Sequence, residues 1–236
     1  MFSKTAKYYD AIYSFKNYGA EVASIRSIIG REHPKARSVL DVGCGTGEHA
    51  RLLASDFEVD GLDLEPEFIS LAQSKSVRGS FSVADMRHFK LGKSYDVVLC
   101  LFSSIGYLLR EADVVNAFRC FAAHVADDGV VIVEPWFTPE NWETGRPWLS
   151  PPVDLPDLKI CRMNVSDRRG DLSLLRFQYL IATPAGVEHI QEDHELALYT
   201  NEQLLNCFTL AGLVASHESV GLSGRGLYIA RKRQRA

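Results

Sequence analysis

The sequence predicts an α/β fold in which a mostly parallel, doubly wound sheet carries helices on both faces. Over the first 150 residues, short apolar runs alternate with helix-like stretches at the spacing that βαβ crossovers require. The first apolar run ends in closely spaced glycines, where a strand turns directly into a helix. After residue 136 the alternation stops, and three strand-like segments follow one another without helices. We therefore expect a seven-stranded sheet and a small antiparallel sheet inserted after its fifth strand.

Five strands and three helices are predicted before residue 137. The run SVLDVG is continuously apolar and ends in glycine, which is typical of a parallel strand buried on both faces. Pro66 suits the first turn of the helix that follows the second strand. A turn at Asp127-Asp128-Gly129 is expected to precede the fifth strand. The predicted strands span residues 38–43, 58–64, 79–85, 95–102 and 129–136, and the predicted helices span 48–54, 66–75 and 111–125.

The second half of the chain begins with an irregular stretch. Residues 137–157 hold five prolines and two tryptophans, which favours a long loop. Turns at 167–170 and 184–186 separate the first three predicted strands of this half. Thr200 can cap the helix that follows, and Gly212 suits the position just after its end. The predicted strands span 158–166, 171–182, 187–199, 214–220 and 225–232.

These elements predict two structural units. Residues 1–136 and 200–236 are expected to form the α/β core, and residues 137–199 an antiparallel insertion that covers one face of it. The composition, with 46% hydrophobic and 24% charged residues, is ordinary for a soluble globular protein with a full-sized core.

Charge and cysteine usage exclude several classes of function. A formal net charge of −4 argues against a dedicated nucleic-acid binder, which is normally basic. The five cysteines are scattered without a CxxC pair or a metal-ligand spacing, so we expect reduced thiols and no metal. The sequence shows no signal-peptide pattern and no membrane span. We therefore expect a cytoplasmic protein, monomeric or homodimeric, with no membrane or nucleic-acid partner.

The glycine-rich stretch LDVGCGTGEH indicates the class of ligand. Glycines at positions 43, 45 and 47 let backbone N–H groups approach a ligand with no Cβ in the way. The dinucleotide fingerprint G-x-G-x-x-G would place its third glycine at Glu48, whose carboxylate would repel a pyrophosphate. A P-loop is excluded because no Gly-Lys-Ser/Thr follows. The loop therefore fits a ligand without phosphates.

Asp41 extends this loop to D-x-G-x-G-x-G, which resembles motif I of the class I S-adenosylmethionine (SAM) methyltransferases. The resemblance implies their Rossmann-like fold, SAM as the cofactor, and a loop that packs against its aminoacyl part. Asp63, at the end of the second strand, can accept hydrogen bonds from both ribose hydroxyls. The resemblance places Asp85 near the adenine amino group, and Met86 offers the ring a backbone N–H and an apolar surface.

Most of the chain is similar to the TDP-amino-sugar N-methyltransferases, which dimethylate the 3-amino group of TDP-linked deoxyhexoses. The matching stretches include YDAIYSFKNYGAE, DMRHF, LFSSIGYL, EPWFTPENW and SGRGLYIA. The resemblance places Tyr13 over SAM and the reacting amine, and Lys16 or Tyr18 replaces the arginine that meets the SAM carboxylate in the family. The expected cofactor-binding residues are Tyr13, Lys16, Tyr18, Asp41, Gly43, Gly45, Asp63, Leu64, Asp85, Met86 and Leu101.

The implied chemistry is an in-line displacement in which a neutral amine takes the methyl group and S-adenosylhomocysteine leaves. The enzyme mainly supplies proximity and alignment, because a deprotonated amine is already a good nucleophile. If a general base is used, Tyr13, Tyr107 and Glu134 are the candidates. Tyr107 stands where some family members carry a histidine, and Glu134 could instead stabilise the ammonium form.

The expected acceptor site lies at the ends of strands four and five, and the insertion is expected to cover it as a lid. Ser103 and Ser104 can bind sugar hydroxyls or cap a helix. Arg225, between two glycines, suits the diphosphate of a nucleotide sugar. Arg146 and Arg176 are further candidates for the diphosphate. Three tryptophans can stack on the base or pack a lid, namely Trp136, Trp142 and Trp148. His194 is expected to have either a structural role or a role in the site.

Three other functions compete with N-methylation of a nucleotide-linked amino sugar. A SAM methyltransferase for an unrelated small metabolite remains the alternative enzyme. A non-catalytic scaffold is disfavoured because Asp63 and the glycines are intact. A methyltransferase for RNA or protein is disfavoured by the acidic balance and by LFSSIGY, which stands where base-methylating enzymes carry an Asn-Pro-Pro-Tyr type of signature.

Overall fold

The computed structural model describes residues 4–75 and 78–233, which form two β-sheets and six α-helices. The helices are α1 (Tyr9–Ile12), α2 (Tyr18–Glu32), α3 (Glu48–Leu53), α4 (Pro66–Ser74), α5 (Glu111–His124) and α6 (Asn201–Leu210). The strands are β1 (Ser38–Val42), β2 (Glu58–Asp63), β3 (Phe81–Val83), β4 (Tyr95–Cys100), β5 (Val125–Val133), β6 (Pro147–Leu149), β7 (Val153–Leu155), β8 (Leu158–Arg169), β9 (Leu172–Thr183), β10 (Gly186–Ala197), β11 (Leu213–Glu218) and β12 (Leu227–Lys232). No helix within the described ranges has the length and hydropathy that crossing a membrane demands.

The larger sheet has seven strands in the order β11-β12-β5-β4-β1-β2-β3. Strands β1 to β5 run parallel, and β12 lies antiparallel between β5 and β11. The predicted doubly wound sheet is therefore confirmed. The strand order reverses between β1 and β4, and ligands bind outside the carboxyl ends of such sheets at that point.

Buried side chains on both faces of this sheet hold the helices in place. On one face, Phe118 of α5 stacks on Phe208 of α6 with ring centroids 3.8 Å apart. On the other face, Ile25 and Ile29 of α2 pack with Leu53 of α3. Each of these side chains is fully buried, and its removal from water stabilises the fold by roughly 1.5–3 kcal/mol. The sheet is covered on both sides, as its continuously apolar strands predict.

The smaller sheet has the order β10-β9-β8-β6, with β7 also paired to β8, and every pairing is antiparallel. Its three long strands lie where the sequence predicts them. The two short strands β6 and β7 fall inside residues 137–157, where an irregular loop was expected. That expectation was wrong because pairing with β8, not local sequence preference, holds these segments extended.

Strand β8 has an inverted pattern of burial. Arg162, Asn164 and Ser166 face inward and are buried, whereas Met163 and Val165 face outward and are exposed. The inner face of the inserted sheet is therefore partly polar. A third apolar cluster on this face joins the sheet to α4 and to residues 4–17, which we call the N-terminal segment. The cluster includes Tyr9, Ile12, Tyr13, Phe68, Phe177 and Tyr179.

Strand β5 begins earlier than its sequence predicts. The stretch Asp127-Asp128-Gly129, expected as a preceding turn, lies within the strand, where the pairing shifts from Tyr95–Val125 to Val97–Val130. Gly129 is required there because a Cβ would lie 2.7 Å from the carbonyl oxygen of Asp96. The stretch is thus a bulge that the neighbouring strand accommodates.

The predicted ends of α6 are confirmed by its capping geometry. Thr200 and Gln203 form a capping box, in which the Thr200 hydroxyl accepts the Gln203 N–H and the Gln203 side chain accepts the Thr200 N–H. Gly212, just after the helix, has φ +81°, which favours glycine.

Candidate active site

A cavity of about 480 Å³ opens at the carboxyl ends of the central strands, beneath the inner face of the inserted sheet. A second cavity of about 40 Å³ adjoins it at the glycine loop, and both are lined by Tyr9, Gly43, Gly45, Phe102 and Ser104. The two cavities therefore share a wall at the glycine loop, and the smaller one, called the recess below, also carries the polar side chains of Asp41, Thr46 and His49. Most predicted site residues line one of the two.

The glycine loop takes a backbone conformation that side chains disfavour. Gly43, Gly45 and Gly47 have φ values of +72°, +55° and +79°. A Cβ on Gly43 would lie 2.8 Å from the Ser104 side chain, so this glycine allows β1 and the segment after β4 to approach. A Cβ on Gly45 would meet no atom within 4 Å. Gly45 therefore presents bare backbone to the cavity.

Asp63 closes β2 with both carboxylate oxygens fixed by backbone donors. Oδ2 accepts the N–H of Gly45 and Oδ1 that of Glu65, each at 2.9 Å. Burial raises the pKa of Asp63 above its usual value, although these N–H bonds oppose the shift. Each oxygen keeps lone pairs toward the cavity. Two ribose hydroxyls fit that arrangement, and Leu64 beside it lines the same wall.

Asp41 lies at the back of the small recess. It is 1% exposed, its Oδ2 atom has no hydrogen-bond partner, and burial raises its pKa to about 6. A buried carboxylate oxygen without a donor is costly, which points to a donor supplied by a ligand. The ammonium group of an amino acid meets that need. With Asp63 and the open side of Gly45, this recess fits the aminoacyl end of SAM.

Lys16 and Tyr18 stand at the edge of the recess. The Lys16 ammonium is ion-paired with Glu21 and lies 4.2 Å from the ring centroid of Tyr18 and 4.4 Å from that of Phe102. Burial lowers the pKa of Lys16. Tyr18 lines the recess and Lys16 lies one contact behind it. The expected neighbour Leu101 also lines the recess and is buried.

The wall of the cavity that the sequence predicts for adenine is formed after β3. Asp85 and Met86 both line it, as expected. The Arg87 guanidinium donates to both oxygens of Asp85 and lowers the pKa of that carboxyl. Asp85 therefore remains an anion, and the apolar contact for a ring comes from Met86.

The segment after β4 is strained. Phe102 and Ser103 have φ values of +49° and +62°, a conformation that non-glycine residues rarely adopt. Glu134 accepts the Phe102 N–H at 2.7 Å, and the Ser103 hydroxyl donates to the carbonyl of Pro135 at 2.6 Å. The Ser104 hydroxyl donates to the Leu101 carbonyl at 3.0 Å. Neither serine caps a helix through its side chain, and both line the cavity.

Glu134 holds Arg225 at the cavity wall. Its Oε1 atom accepts hydrogen bonds from the Ser223 hydroxyl and from Nη2 of Arg225, the latter at 3.2 Å. The Arg225 guanidinium also packs over the rings of Phe102, Trp136 and Phe137, at 5.4, 5.6 and 5.9 Å from their centroids. Glu134 is 1% exposed, and both its oxygens are engaged. This geometry favours a holding role for Glu134 over proton transfer.

Tyr107, which is partly buried at the cavity wall, forms a pair with the buried His194. The Tyr107 hydroxyl lies 2.8 Å from Nδ1 of His194. Burial raises the pKa of Tyr107 well above its usual value and lowers the pKa of His194 to about 3. Both groups are therefore neutral at pH 7. Tyr13, from the N-terminal segment, lines the cavity opposite and packs edge-on against Phe102 with centroids 5.2 Å apart.

Several predicted acceptor residues lie outside the cavity. Trp136 lines it, but Trp142 packs behind Trp136 with centroids 5.8 Å apart, and Trp148 is half-exposed on the outer face of the inserted sheet. Arg146 pairs with Glu143, and Arg176 pairs with Asp193; both arginines are exposed and away from the cavity. The candidate diphosphate ligand at the cavity is therefore Arg225, and not these two arginines.

The sequence did not identify the aromatic residues that close the cavity. Tyr9, Phe68, Phe102 and Phe177 all line it. Phe102 is the last residue of the predicted fourth strand, so its position at a strand end was a usable signal. The other three come from the N-terminal segment, α4 and β9, and local sequence carries no sign that tertiary packing brings them together.

Comparisons with known proteins show which proteins this chain is similar to. A family model described as a methyltransferase domain matches residues 39–129. The chain is 40% identical to the dTDP-3-amino-3,6-dideoxy-alpha-D-glucopyranose N,N-dimethyltransferase of Streptomyces fradiae, over 94% of this chain and 89% of that protein. The crystal structure of Streptomyces venezuelae DesVI matches with a TM-score of 0.91 at 32% identity, covering 97% of this chain and 98% of that one. SAM-bound CalS10, an amino pentose methyltransferase from Micromonospora echinaspora, matches with a TM-score of 0.84 at 32% identity, covering 92% of each chain.

Proposed function

Because this chain belongs to the family of the dTDP-amino-sugar N,N-dimethyltransferases, we propose that its cavity methylates the amino group of a dTDP-linked amino deoxy sugar. The enzyme is a SAM-dependent N-methyltransferase. We assign residues 137–199 as the insertion that encloses the acceptor and the rest as the cofactor-binding core. Both substrates are charged, water-soluble metabolites, and the reaction is assigned to the cytoplasm.

The cofactor is assigned to the side of the cavity formed by the glycine loop and the ends of β1 and β2. Asp63 accepts the ribose hydroxyls, Asp41 accepts the ammonium group, and Gly45 leaves room for the backbone to approach. Lys16 and Tyr18 attract the carboxylate, and Met86 packs on the adenine. When bound, SAM supplies a sulfonium methyl group; the S–C bond breaks with its electron pair on sulfur as the acceptor nitrogen forms the N–C bond.

The acceptor is assigned to the side beneath the inserted sheet. Arg225 binds the diphosphate, because a guanidinium matches phosphate geometry and Glu134 fixes its orientation. Ser103 and Ser104 offer hydroxyl lone pairs to the sugar, and Tyr107 accepts or donates one hydrogen bond near the amine. Trp136 packs against the substrate and positions Arg225.

The residues align the amine and do not act as a strong base. Both oxygens of Glu134 are engaged, Tyr107 keeps its proton because burial raises its pKa, and His194, with its pKa lowered to about 3, is a very weak base. A neutral amine needs only alignment with the methyl group to react, and such alignment is worth up to about 7–11 kcal/mol of the barrier. The proton that the new ammonium product carries is released to solvent when the product leaves.

One observation carries this proposal: Asp41, whose buried Oδ2 atom has no hydrogen-bond partner, lines a recess that adjoins the cavity in which Glu134 holds Arg225. The test is methyl transfer from SAM to dTDP-amino sugars that carry the amine at position 3 or position 4, with products identified by mass spectrometry. We expect a mass increase on the sugar amine of one isomer. The matched control is the same sugar with a hydroxyl in place of the amine. Methylation of that control, or of neither amine, contradicts the proposal.

A further inference from the structure

Arg162 is a buried cation directly behind the wall of the acceptor site. It lies on β8 with its side chain turned inward and is 5% exposed. Its guanidinium packs over the rings of Tyr13 and Phe177, at 4.7 and 5.1 Å from their centroids. Both rings line the large cavity, whereas Arg162 does not. One layer of aromatic side chain therefore separates this charge from the acceptor.

The charge of Arg162 has no carboxylate to balance it. Among the described residues, no Asp or Glu oxygen lies within 4.0 Å of its nitrogens, and its Nε and Nη1 atoms have no hydrogen-bond partner. Burial opposes the charge, but the neighbouring Tyr13 and Tyr179 raise the pKa of Arg162. A guanidinium stays protonated in proteins. The inner face of the inserted sheet therefore carries a full positive charge.

The groups that face Arg162 leave this charge uncompensated. The N-terminal segment contributes Tyr13, and β9 contributes Tyr179. From β10, His194 is neutral at pH 7, and Arg162 itself helps to lower its pKa. Glu192 is the buried carboxylate of β10, and it accepts the N–H groups of Lys4 and Thr5 and the Thr5 hydroxyl. Its charge is bonded to the N-terminal segment and also acts on Tyr107 and Tyr179, but it makes no ion pair with Arg162.

We propose that Arg162 is a positioning residue that keeps the acceptor's amino group in its neutral, nucleophilic form, acting through the rings of Tyr13 and Phe177. The inference rests on the proposed function. A nearby positive charge disfavours an ammonium group, and the effect is strong where aromatic rings exclude water. The ammonium proton passes to bulk solvent, and the lone pair it leaves is the one that bonds to the methyl carbon. This explains how the site works without a carboxylate or imidazole base beside the amine.

The first test is the pH profile of kcat, which reports groups in the bound complex. Arg162→Met removes the charge and keeps the volume, and Arg162→Lys keeps the charge. We expect the acidic limb to move up by about one pH unit in Arg162→Met, with a rate loss of roughly tenfold at pH 7 that is recovered at high pH. Arg162→Lys should stay near wild type. Arg176→Met, an exposed arginine on the outer face of β9, is the matched control and should leave the profile unchanged.

A merely structural role predicts a different pattern. It predicts that Arg162→Met and Arg162→Lys lose activity by the same factor at every pH, and that result overturns the proposal. Calorimetric titration of SAM and the thermal unfolding midpoint show whether each variant is folded and binds the cofactor. If the wild-type enzyme methylates the dTDP-amino sugar and Arg162→Met keeps the wild-type pH profile, this inference is refuted and the proposed function stands. Wild-type enzyme without transfer refutes both.

A second measurement needs no variant. A dTDP-amino sugar with a ¹⁵N-labelled amine, bound to wild-type enzyme with S-adenosylhomocysteine, can be titrated by NMR. We expect the amine to titrate about one pH unit lower in the complex than free in solution. An amine that titrates at the same pH or higher when bound contradicts the proposal, whatever the variants do.

Discussion

The two sides of the cavity differ in how their polar groups are used. On the cofactor side, Asp41 and Asp63 hold hydrogen-bonding capacity that the protein does not fill, and Gly45 leaves open space. On the acceptor side, Nη2 of Arg225 already donates to Glu134 and the Tyr107 hydroxyl is already bound to His194, although Nε of Arg225 has no partner. The cofactor side therefore selects by the bonds it can still make. The acceptor side selects by shape and by the charge it presents.

The largest test of this contrast is Asp63→Ala. The change removes the acceptor of both ribose hydroxyls and leaves the Gly45 N–H without its partner. Charge-assisted hydrogen bonds are worth about 1.5–3 kcal/mol each, so SAM affinity should fall roughly a hundredfold or more. Calorimetric titration of S-adenosylhomocysteine measures it. Glu58→Gln, an exposed acid on the same strand, is the control and should keep wild-type affinity. A loss of affinity smaller than tenfold would contradict the assignment of Asp63 to the ribose.

The matching test on the acceptor side is Arg225→Ala. Losing one charge-assisted contact of about 1.5–3 kcal/mol should weaken binding of the sugar nucleotide roughly ten- to a hundredfold and leave SAM affinity intact. The KM for the sugar and calorimetry with SAM separate the two effects. Arg176→Ala removes an arginine that lies outside the cavity and should change neither. An equal loss of both affinities would count against a diphosphate role for Arg225.

A smaller effect separates backbone strain from ligand contact in the glycine loop. Gly45 and Gly170 have similar φ values, +55° and +59°, and neither would meet a neighbour within 4 Å if it carried a Cβ. Alanine at either position should cost about 1–2 kcal/mol of stability. Only Gly45→Ala should also weaken SAM binding. The loss should be about tenfold or more, because a charge-assisted hydrogen bond in the loop is worth about 1.5–3 kcal/mol. Thermal unfolding and calorimetry on both variants test this, and equal SAM affinity in the two would refute it.

The smallest effect is the pH dependence of cofactor binding. Burial raises the pKa of Asp41 to about 6, so its carboxylate takes up a proton as the pH falls through that value. An ammonium group binds the ionised form, and SAM affinity should fall by about three- to tenfold between pH 7 and pH 5. The pKa of Asp41 is higher in the folded protein than its usual value. The contribution of Asp41 to the free energy of unfolding is therefore present at low pH and is lost as the pH rises toward 6. Asp41→Asn should flatten the difference in calorimetric titrations, and an unchanged pH dependence would exclude Asp41.

The cofactor side could be predicted from the sequence because its residues act through local backbone geometry. Asp41, Asp63 and Asp85 each follow a run that forms a strand for local reasons, and parallel strands bring their carboxyl ends to one edge. The glycines between β1 and α3 require left-handed φ values wherever this motif folds. The predicted lining residues on this side accordingly lie at the cavity or its recess, apart from Lys16, which lies one contact behind.

The predicted acceptor residues on the core line the cavity, but the inserted sheet above them was harder to predict because its burial pattern runs against the usual rule for sheets. Alternation along β8 suggests that Met163 and Val165 face a core, yet they face outward and Arg162 is buried instead. The short strands β6 and β7 form only because β8 is available to pair with them. Trp148, on β6, is thereby carried to the outer face, away from any nucleotide base in the cavity.

The sheet, the glycine loop and the acids at the strand ends could be read from the chain, because each depends on residues close to it in sequence. Which groups neutralise or restrain one another depends on long-range packing. Glu134 and Arg225 are 91 residues apart in sequence, and Tyr107 and His194 are 87 apart. Contacts of that range depend on how the inserted sheet and the N-terminal segment pack over the core, and no local pattern encodes them. The same packing leaves the Arg162 charge unbalanced behind Tyr13, where it can act on the bound amine.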